Sequence, residues 1–446
     1  MSKELKINDL ANIREEYFKS DKNKVLRHAL SSTTFNDVFI SLDKPEYRDF
    51  TFSIDVKTLP VTNQRRSGRC WIFSASNLLR EMIAKKANIK GQFEISQNFI
   101  AYYDKLEKYN YHAQGIIELI TKGAPHDDRK VAFLLSGVGD GGQWQMYVEL
   151  VKKYGICPKN VFPETAQSNE TMGSSKLCNS ALRKFAADAY KAYEKNHDLD
   201  ELYALKDEYN KKIFAILTSS FGVPPQKFDF EYIDNKDEYH IEKDLTPKTF
   251  FDKYIGKDID ELVSIIHAPT KDKKYNKTYS LEYVGNVVGG KPVTHLNLEF
   301  DRIEDLIIQT LKDGEIVWFG SDVGKYGDRT NGIWDIDTFD YESAFGVSEE
   351  FDKADMLDYY QAAMNHAMCI TGVDLKDGKP VRWKIENSWG EDAGNKGFYL
   401  MSEKFFRQFV FQAAIRKKYL NEVELKALEE EATLLPPWDP FGTLAD

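Results

Sequence analysis

Hydrophobic residues recur at steps of three and four along the stretch that begins at Cys70. The stripe consists of Ile72, Ala75, Leu79 and Met82. The charged residues that fall outside the stripe are Arg80, Glu81 and Lys85. This period predicts an amphipathic helix of about four turns that starts near Cys70.

The C-terminal half has a different pattern, in which β-branched and aromatic residues alternate between glycines and aspartates. Four such runs occur, at residues 314–323, 366–375, 381–389 and 396–402. They predict the strands of an antiparallel sheet or barrel. A charged helix is predicted at 422–432, followed by a proline-rich, extended C-terminal segment.

A glycine-rich turn at residues 136–144 follows an apolar run and opens onto a second helical pattern, which ends at Gly155. Residues 166–290 are rich in Lys, Asp, Glu and Tyr and have long helical periods. We interpret them as an inserted, mainly helical region, because aromatic residues continue throughout and disfavour disorder. The first 55 residues are polar and mixed, which is typical of surface helices and turns.

Composition and charge narrow the class of protein. The chain has 446 residues, of which 42% are hydrophobic and 13% aromatic, enough for a large core. The net charge of −11 argues against non-specific nucleic-acid binding, which needs a basic surface. No stretch is apolar enough to span a membrane, and the N-terminus lacks the features of a secretory signal.

The cysteines indicate a reducing compartment. All four are scattered without zinc-ligand spacing, and so few in so long a chain do not suggest a disulfide scaffold. We therefore expect a cytoplasmic protein without a metal or other cofactor. Under that expectation the glycosylation sequons at Asn169 and Asn276 carry little weight.

The glycine-rich turn contains a G-x-G-x-x-G pattern formed by Gly137, Gly139 and Gly142. This pattern is typical of dinucleotide sites, but it is short and the chain lacks the alternating strands and helices that such sites require. We interpret the turn instead as one whose glycines allow another backbone segment to approach closely.

Cys70 has the strongest chemical context in the chain. At a predicted helix start, free N–H groups and the positive end of the helix dipole stabilise a thiolate, which is the nucleophilic form of cysteine. Gln64, six residues upstream, carries an amide donor that could join the Cys70 N–H around a developing oxyanion. The alternative is an inert, buried cysteine.

A nucleophilic thiol needs a base, and His366 is the best placed of the eight histidines. It starts an apolar strand run, and Asn387 follows 21 positions later on the next predicted strand. An Asn387 side-chain oxygen beside the imidazole would fix its orientation and tautomer. Trp389 could shield that hydrogen bond from water. His295 lies at a plausible strand start and remains open; the other histidines lie in polar or helical surroundings.

The order of these motifs resembles the papain-like cysteine peptidases: Gln-x5-Cys-Trp, then His, then Asn-Ser-Trp-Gly. Within that clan, "NQRRSGRCWIF", "MNHAM", "WKIENSWGEDAGNKGFYLM" and "PPWDPFGTLAD" resemble the aminopeptidase C/bleomycin hydrolase family. The resemblance covers nearly the whole chain. One departure concerns Ser67, which replaces the first cysteine of the C-G-[SA]-C pattern of secreted relatives, so no disulfide can form there.

The resemblance implies an α+β, papain-like fold of two lobes, with the nucleophile on a helical lobe and His and Asn on a β-barrel-like lobe. The corresponding division is an N-terminal arm at 1–55, a helical lobe at 56–165, an insertion at 166–290, a β lobe at 291–430 and a C-terminal arm at 431–446. It also implies a cytoplasmic homohexamer whose active sites face an inner channel.

The family also implies a role for each candidate residue in peptide hydrolysis. Cys70 is the expected nucleophile, His366 the general acid and base, Asn387 the orienting group and Gln64 the oxyanion donor. The expected backbone partners of the substrate strand are Gly141 and Gly142.

The end of the chain limits the expected substrates. The arm is expected to lie in the cleft with its terminal carboxylate near the free amine of a bound peptide, which makes the enzyme an aminopeptidase. This chain carries one extra residue, Asp446, which adds a second carboxylate. An endopeptidase on the same fold remains an alternative, as does a non-catalytic interaction or nucleic-acid-binding protein.

Overall fold

A central sheet of twelve strands organises the protein. The structure, a computed structural model, describes residues 4–41, 49–348 and 351–445. The strand order is β14-β5-β6-β4-β13-β7-β10-β11-β12-β9-β8, with β1 paired to β10. The strands of this sheet are β1 (Ile54–Asp55), β4 (Leu262–Ile266), β5 (Lys277–Leu281), β6 (Thr294–Asn297), β7 (Val317–Ser321), β8 (Gly327–Asp328), β9 (Ile333–Trp334), β10 (His366–Lys376), β11 (Lys379–Glu386), β12 (Phe398–Ser402), β13 (Val410–Arg416) and β14 (Thr433–Leu435).

Helices surround this sheet and form much of the N-terminal half. The described helices are α1 (Ile7–Phe18), α2 (Asp21–Leu30), α3 (Phe35–Phe39), α4 (Cys70–Ala87), α5 (Gln97–Thr121), α6 (Arg129–Ser136), α7 (Trp144–Tyr154), α8 (Met172–Asn196), α9 (Leu199–Phe221), α10 (Pro247–Tyr254), α11 (Phe300–Lys312), α12 (Tyr341–Phe345), α13 (Lys353–Asp358), α14 (Glu403–Phe409) and α15 (Glu422–Glu429). Among the described residues, no helix is long and apolar enough to cross a membrane.

The four predicted strand runs are confirmed as β7, β10, β11 and β12. β10 is antiparallel to both of its long neighbours: Cys369 lies opposite Trp318 of β7 and Glu386 of β11. The predicted charged helix is α15, and α7 ends at Gly155 as expected, where the glycine has a positive φ of 78°. These strands are recognisable in the sequence because their apolar residues pack into the core: β7 is buried along its whole length and β10 over its first eight residues.

Helix α4 begins at Cys70 as predicted, but its burial differs from the prediction. It has 18 residues, and every residue from Cys70 to Arg80 is buried, so its first three turns are not amphipathic. Arg80, predicted to lie outside the apolar stripe, is 1% exposed and donates to Glu386 of β11 at 2.9 Å. The prediction was wrong because a distant carboxylate neutralises this cation and makes its burial possible.

The range predicted as an insertion contains both helices and strands. Helices α8 and α9 pack against each other and against α5. A separate two-stranded antiparallel sheet follows, formed by β2 (Phe228–Ile233) and β3 (Tyr239–Leu245). β4 and β5, within the same range, join the central sheet. The helical pair therefore forms a unit on the surface, whereas the end of the range belongs to the core.

Candidate active site

Cys70 is the first residue of α4 and its side chain is fully buried. The N-cap residue, Arg69, supplies no side-chain cap, and a thiolate at this position would lie at the positive end of the helix dipole. The Ala367 N–H of β10 lies 3.4 Å from the Cys70 Sγ. The sulfur is therefore held between the start of the helix and the start of the strand that carries His366.

His366 and Asn387 meet across neighbouring strands. The His366 Nε2 lies 2.9 Å from the Asn387 Oδ1, which leaves Nδ1 as the second ring nitrogen. Trp389 lies against the imidazole with its ring centroid at 4.9 Å. Burial lowers the pKa of His366 to about 4; the bond to Asn387 opposes this shift, and Arg329 reinforces it. The imidazole is thus neutral at physiological pH and can accept a proton.

Gln64 connects the loop before Cys70 to the Asn387 segment. Its N–H donates to the Ser388 carbonyl at 2.8 Å, and its Oε1 accepts from the Ser388 hydroxyl at 2.6 Å. The Ser388 N–H in turn donates to the Asn387 Oδ1 at 2.8 Å. The Gln64 Nε2 donates one hydrogen to the Ser67 carbonyl at 2.6 Å and retains a second N–H.

Asp140 fixes the same loop from the other side, and sequence reasoning did not identify it. Its carboxylate accepts from the Gly68 N–H at 3.0 Å and from Lys105 and Thr171. Burial alone would raise the pKa of Asp140, but Lys105 and these hydrogen bonds lower it to about 2. Its backbone carbonyl accepts from the Trp71 indole at 2.7 Å. The sequence feature that could have identified Asp140 was its position in the glycine-rich turn at residues 136–144.

Gly141 and Gly142 lie beside the nucleophile loop, and the chain's own C-terminal arm pairs with Gly142. The Gly142 N–H donates to the Ala445 carbonyl at 3.1 Å, and the Ala445 N–H donates back at 3.3 Å. The Gly141 carbonyl accepts from Lys108 at 2.5 Å. A Cβ on Gly142 would lie 2.5 Å from the Trp71 ring, so glycine is required there. The interpretation of this turn as a place of close backbone approach is confirmed.

The arm is held at further points before it reaches Gly142. β14 pairs in parallel with β5, and the Gln143 side chain donates to the carbonyls of Phe441 and Thr443, both at 2.8 Å. Ala445 is fully buried. Asp446, predicted to contact substrate, lies outside the described residues.

The Arg80–Glu386 ion pair links the two sides of the site. Arg80 belongs to the helix of Cys70, and Glu386 precedes Asn387 in the chain. Glu386 also accepts from Asn77 at 2.8 Å. Burial raises the pKa of Glu386 to about 7, although Arg80 opposes the shift. This pair holds α4 against β11 and thereby fixes the position of Asn387 relative to Cys70.

His295 lies in β6 and belongs to another cluster. Its Nδ1 lies 2.7 Å from the Ser264 hydroxyl. Burial lowers the pKa of His295 to about 3. Within the described residues, one group has metal-ligand spacing: Asp234, Glu238 and His240 around the β2–β3 turn, where Asp234 already accepts from His240. The His295 cluster lies on β6 and the Asp234 cluster on the separate β2–β3 sheet, whereas His366 lies on β10.

A buried cysteine at a helix start, next to a histidine oriented by an asparagine, is the geometry of a thiol-dependent acyl-transfer enzyme. The model of the Peptidase C1-like family matches residues 4–442, and the chain belongs to this family.

Three comparisons, each covering more than four fifths of both chains, agree with this membership. The chain is similar to aminopeptidase C of Lactobacillus delbrueckii subsp. lactis, with 44% identity over 100% of this chain and 99% of the relative. It is similar to bleomycin hydrolase of Mus musculus, with 36% identity over 87% and 86% of the two chains. The crystal structure of PepW from Lactobacillus rhamnosis HN001 superposes with a TM-score of 0.96 at 43% identity, covering both chains completely.

Proposed function

We propose that this protein is a cysteine aminopeptidase that releases N-terminal residues from peptides through an acyl-enzyme on Cys70. The observation that carries the proposal is the His366–Asn387 hydrogen bond of 2.9 Å, at the start of a strand whose next N–H contacts the Cys70 sulfur. Full-length relatives named aminopeptidase C support the same activity.

The first half of the reaction uses the thiol and the imidazole. Cys70 gives its proton to His366, and the thiolate attacks the peptide carbonyl carbon. The Cys70 N–H and the second Gln64 N–H are the proposed donors to the resulting oxyanion. His366 then gives its proton to the leaving amine, the C–N bond breaks and the acyl group remains on the sulfur as a thioester.

The second half returns the enzyme to its starting state. Neutral His366 takes a proton from a water molecule, whose oxygen attacks the thioester carbon. The C–S bond breaks, the thiolate leaves with a proton from His366, and the carboxylic acid product is released. Asn387 acts throughout by holding the imidazole in one orientation.

The C-terminal arm supports release of N-terminal residues. Ala445 occupies the backbone position on Gly142 that a substrate strand would otherwise use. A peptide therefore has little room on the N-terminal side of its scissile bond. The terminal carboxylates of the arm, including that of Asp446, are the proposed partners of the peptide's free amine.

The experiment compares two fluorogenic peptides of identical sequence under reducing conditions, one with a free α-amine and one acetylated. We expect turnover of the free-amine peptide alone, because the arm blocks the place that the acetyl group would need. Equal turnover of both would identify an endopeptidase on this fold. Turnover of neither would contradict the catalytic assignment of Cys70.

We also propose a cytoplasmic homohexamer. The two N-terminal helices support self-association: α1 has no buried residue, and its apolar side chains at Ile7 and Ile13 are 84% and 57% exposed. All four cysteines of the chain are described and none forms a disulfide, which suits a reducing compartment. Sedimentation should give about six times the mass of one chain, and cell fractionation should place the activity in the cytosol; a monomer or a secreted enzyme would contradict this.

A further inference from the structure

The two ends of the catalytic cleft differ in what a peptide would meet there. At one end, Gly142 is paired with Ala445 of the arm. This end binds the N-terminal residue that the enzyme releases. At the other end, His366 has Trp389 against its ring. Because His366 protonates the leaving amine in the proposed function, the leaving part of the peptide must extend past His366 and across Trp389.

A cation lies over that route. The Arg329 guanidinium carbon lies 4.6 Å from the Trp389 ring centroid, on the short connection between β8 and β9. Arg329 itself is exposed to solvent. Its interaction with the Trp389 ring orients the guanidinium without neutralising its charge.

The connection that carries Arg329 is firmly attached to the sheet. Trp334 of β9 is buried and stacks on Tyr399 of β12 at 4.6 Å. The neighbouring Gly332 has a positive φ of 70°, and a Cβ there would lie 2.5 Å from the Gly394 backbone. Arg329 therefore has a fixed base, which reduces the entropy lost when its side chain binds a partner.

Three acidic residues lie within seven positions of Arg329 in the sequence. Asp335 is buried, and its carboxylate accepts from the Asp337 N–H at 2.9 Å. Asp328 accepts from the Asn331 backbone at 3.0 Å and from its side chain at 2.6 Å. Asp322 accepts from the Gly324 N–H at 2.9 Å and from Asn365 at 2.6 Å. In the described parts of the chain, Arg329 has no carboxylate within ion-pair distance. Burial is the main cause of the lowered pKa of His366, and the positive charge of Arg329 adds to it by disfavouring the protonated imidazole.

We propose that Arg329 is a specificity residue that binds a carboxylate on the leaving part of the peptide. An extended chain covers about 3.3–3.6 Å per residue. The Trp389 ring lies between His366 and the Arg329 guanidinium, with its centroid 4.9 Å from the imidazole and 4.6 Å from the guanidinium carbon. The second or third residue after the scissile bond can therefore reach Arg329. The carboxylate is either the C-terminus of a short peptide or an Asp or Glu side chain. This inference rests on the proposed function.

The experiment measures kcat/KM for release of the N-terminal residue from matched peptides at low ionic strength. The first pair is one tripeptide with a free C-terminal carboxylate and with a C-terminal amide. The second pair is an amidated pentapeptide with Glu or Gln as the second residue after the scissile bond. We expect the carboxylate member of at least one pair to be preferred by roughly threefold to tenfold, an effect that salt weakens.

The variants separate this role from a general loss of activity, because each acid-to-amide ratio is measured within one protein. Arg329→Gln should bring the ratio close to one, and Arg329→Lys should retain part of it, since lysine keeps the charge without the bidentate fork. Lys325→Gln is the control, because Lys325 is a cation of the same segment that has no ring contact to Trp389 in the described structure.

The two pairs also identify the source of the carboxylate. A preference in the tripeptide pair alone supports recognition of a short peptide's C-terminus, and one in the pentapeptide pair alone supports an acidic side chain. Wild-type ratios near one in both pairs, or ratios that survive in Arg329→Gln, would overturn the proposal. If the wild-type protein releases no residue from any of the peptides, the proposed function fails first.

Discussion

Replacing Cys70 with serine should lower kcat/KM for the free-amine peptide by about 10⁴-fold or more, with the fold retained. A serine hydroxyl is far harder to deprotonate than a thiol, and His366 alone cannot generate the alkoxide at neutral pH. Serine is close to cysteine in size, so the packing at the start of α4 should persist. Steady-state kinetics together with circular dichroism would check both parts of this prediction.

The matched control is Cys178→Ala on α8, which should retain the wild-type rate. Thiol alkylation offers an independent check. Burial raises the pKa of Cys178 to about 11, and it also raises the pKa of Cys157 and Cys369 above the usual value. Iodoacetamide near neutral pH should therefore label Cys70 first and abolish turnover. Full activity of Cys70→Ser, or of protein labelled stoichiometrically at Cys70, would contradict the assignment.

Removing residues 443–446 should convert the enzyme into one that also cleaves acetylated peptides. The deletion frees both hydrogen-bonding groups of Gly142 that now pair with Ala445. Two such bonds contribute about 1 kcal/mol each, so we expect a gain of about tenfold to a hundredfold on the acetylated peptide. Turnover of the free-amine peptide should fall, because its amine loses the terminal carboxylates.

Deletion of Asp446 alone is the control for this truncation, because it leaves Ala445 in place. It should leave the acetylated peptide uncleaved, and any change in KM for the free-amine peptide would measure the contribution of the extra carboxylate. If the longer deletion stays inactive on acetylated peptides while it remains folded, the arm does not gate the cleft.

Local sequence patterns predicted the elements that carry the catalytic candidates. The apolar residues after Cys70 and around His366 and Asn387 pack into one core, and such burial leaves a recognisable pattern in the sequence, although the first three turns of α4 are buried on every side. The spacing of His366 and Asn387 predicted that their side chains lie close together. This prediction was possible because a short turn joins β10 to β11, which leaves few possible registers for the two strands.

The contacts that fix the site depend on partners far apart in the chain. Arg80 meets Glu386 across 306 positions, and Asp140 meets Gly68 across 72. No local period in the sequence predicts such a pair, since Arg80, Glu386 and Asp140 are each of a residue type that is usually exposed. The same holds for β5, which lies beside β14 only because the C-terminal arm folds back across the molecule.

The pairing of Ala445 with Gly142 has a consequence for how this protein is made and handled. A nascent chain that has not yet reached residue 445 cannot form this pairing, so its Gly142 lacks the partner that closes the cleft. A purification tag fused behind Asp446 would start two positions after Ala445, which is fully buried. Such a fusion would displace the arm or lie in the substrate path. The specificity measured for the tagged protein would then differ from that of the untagged protein.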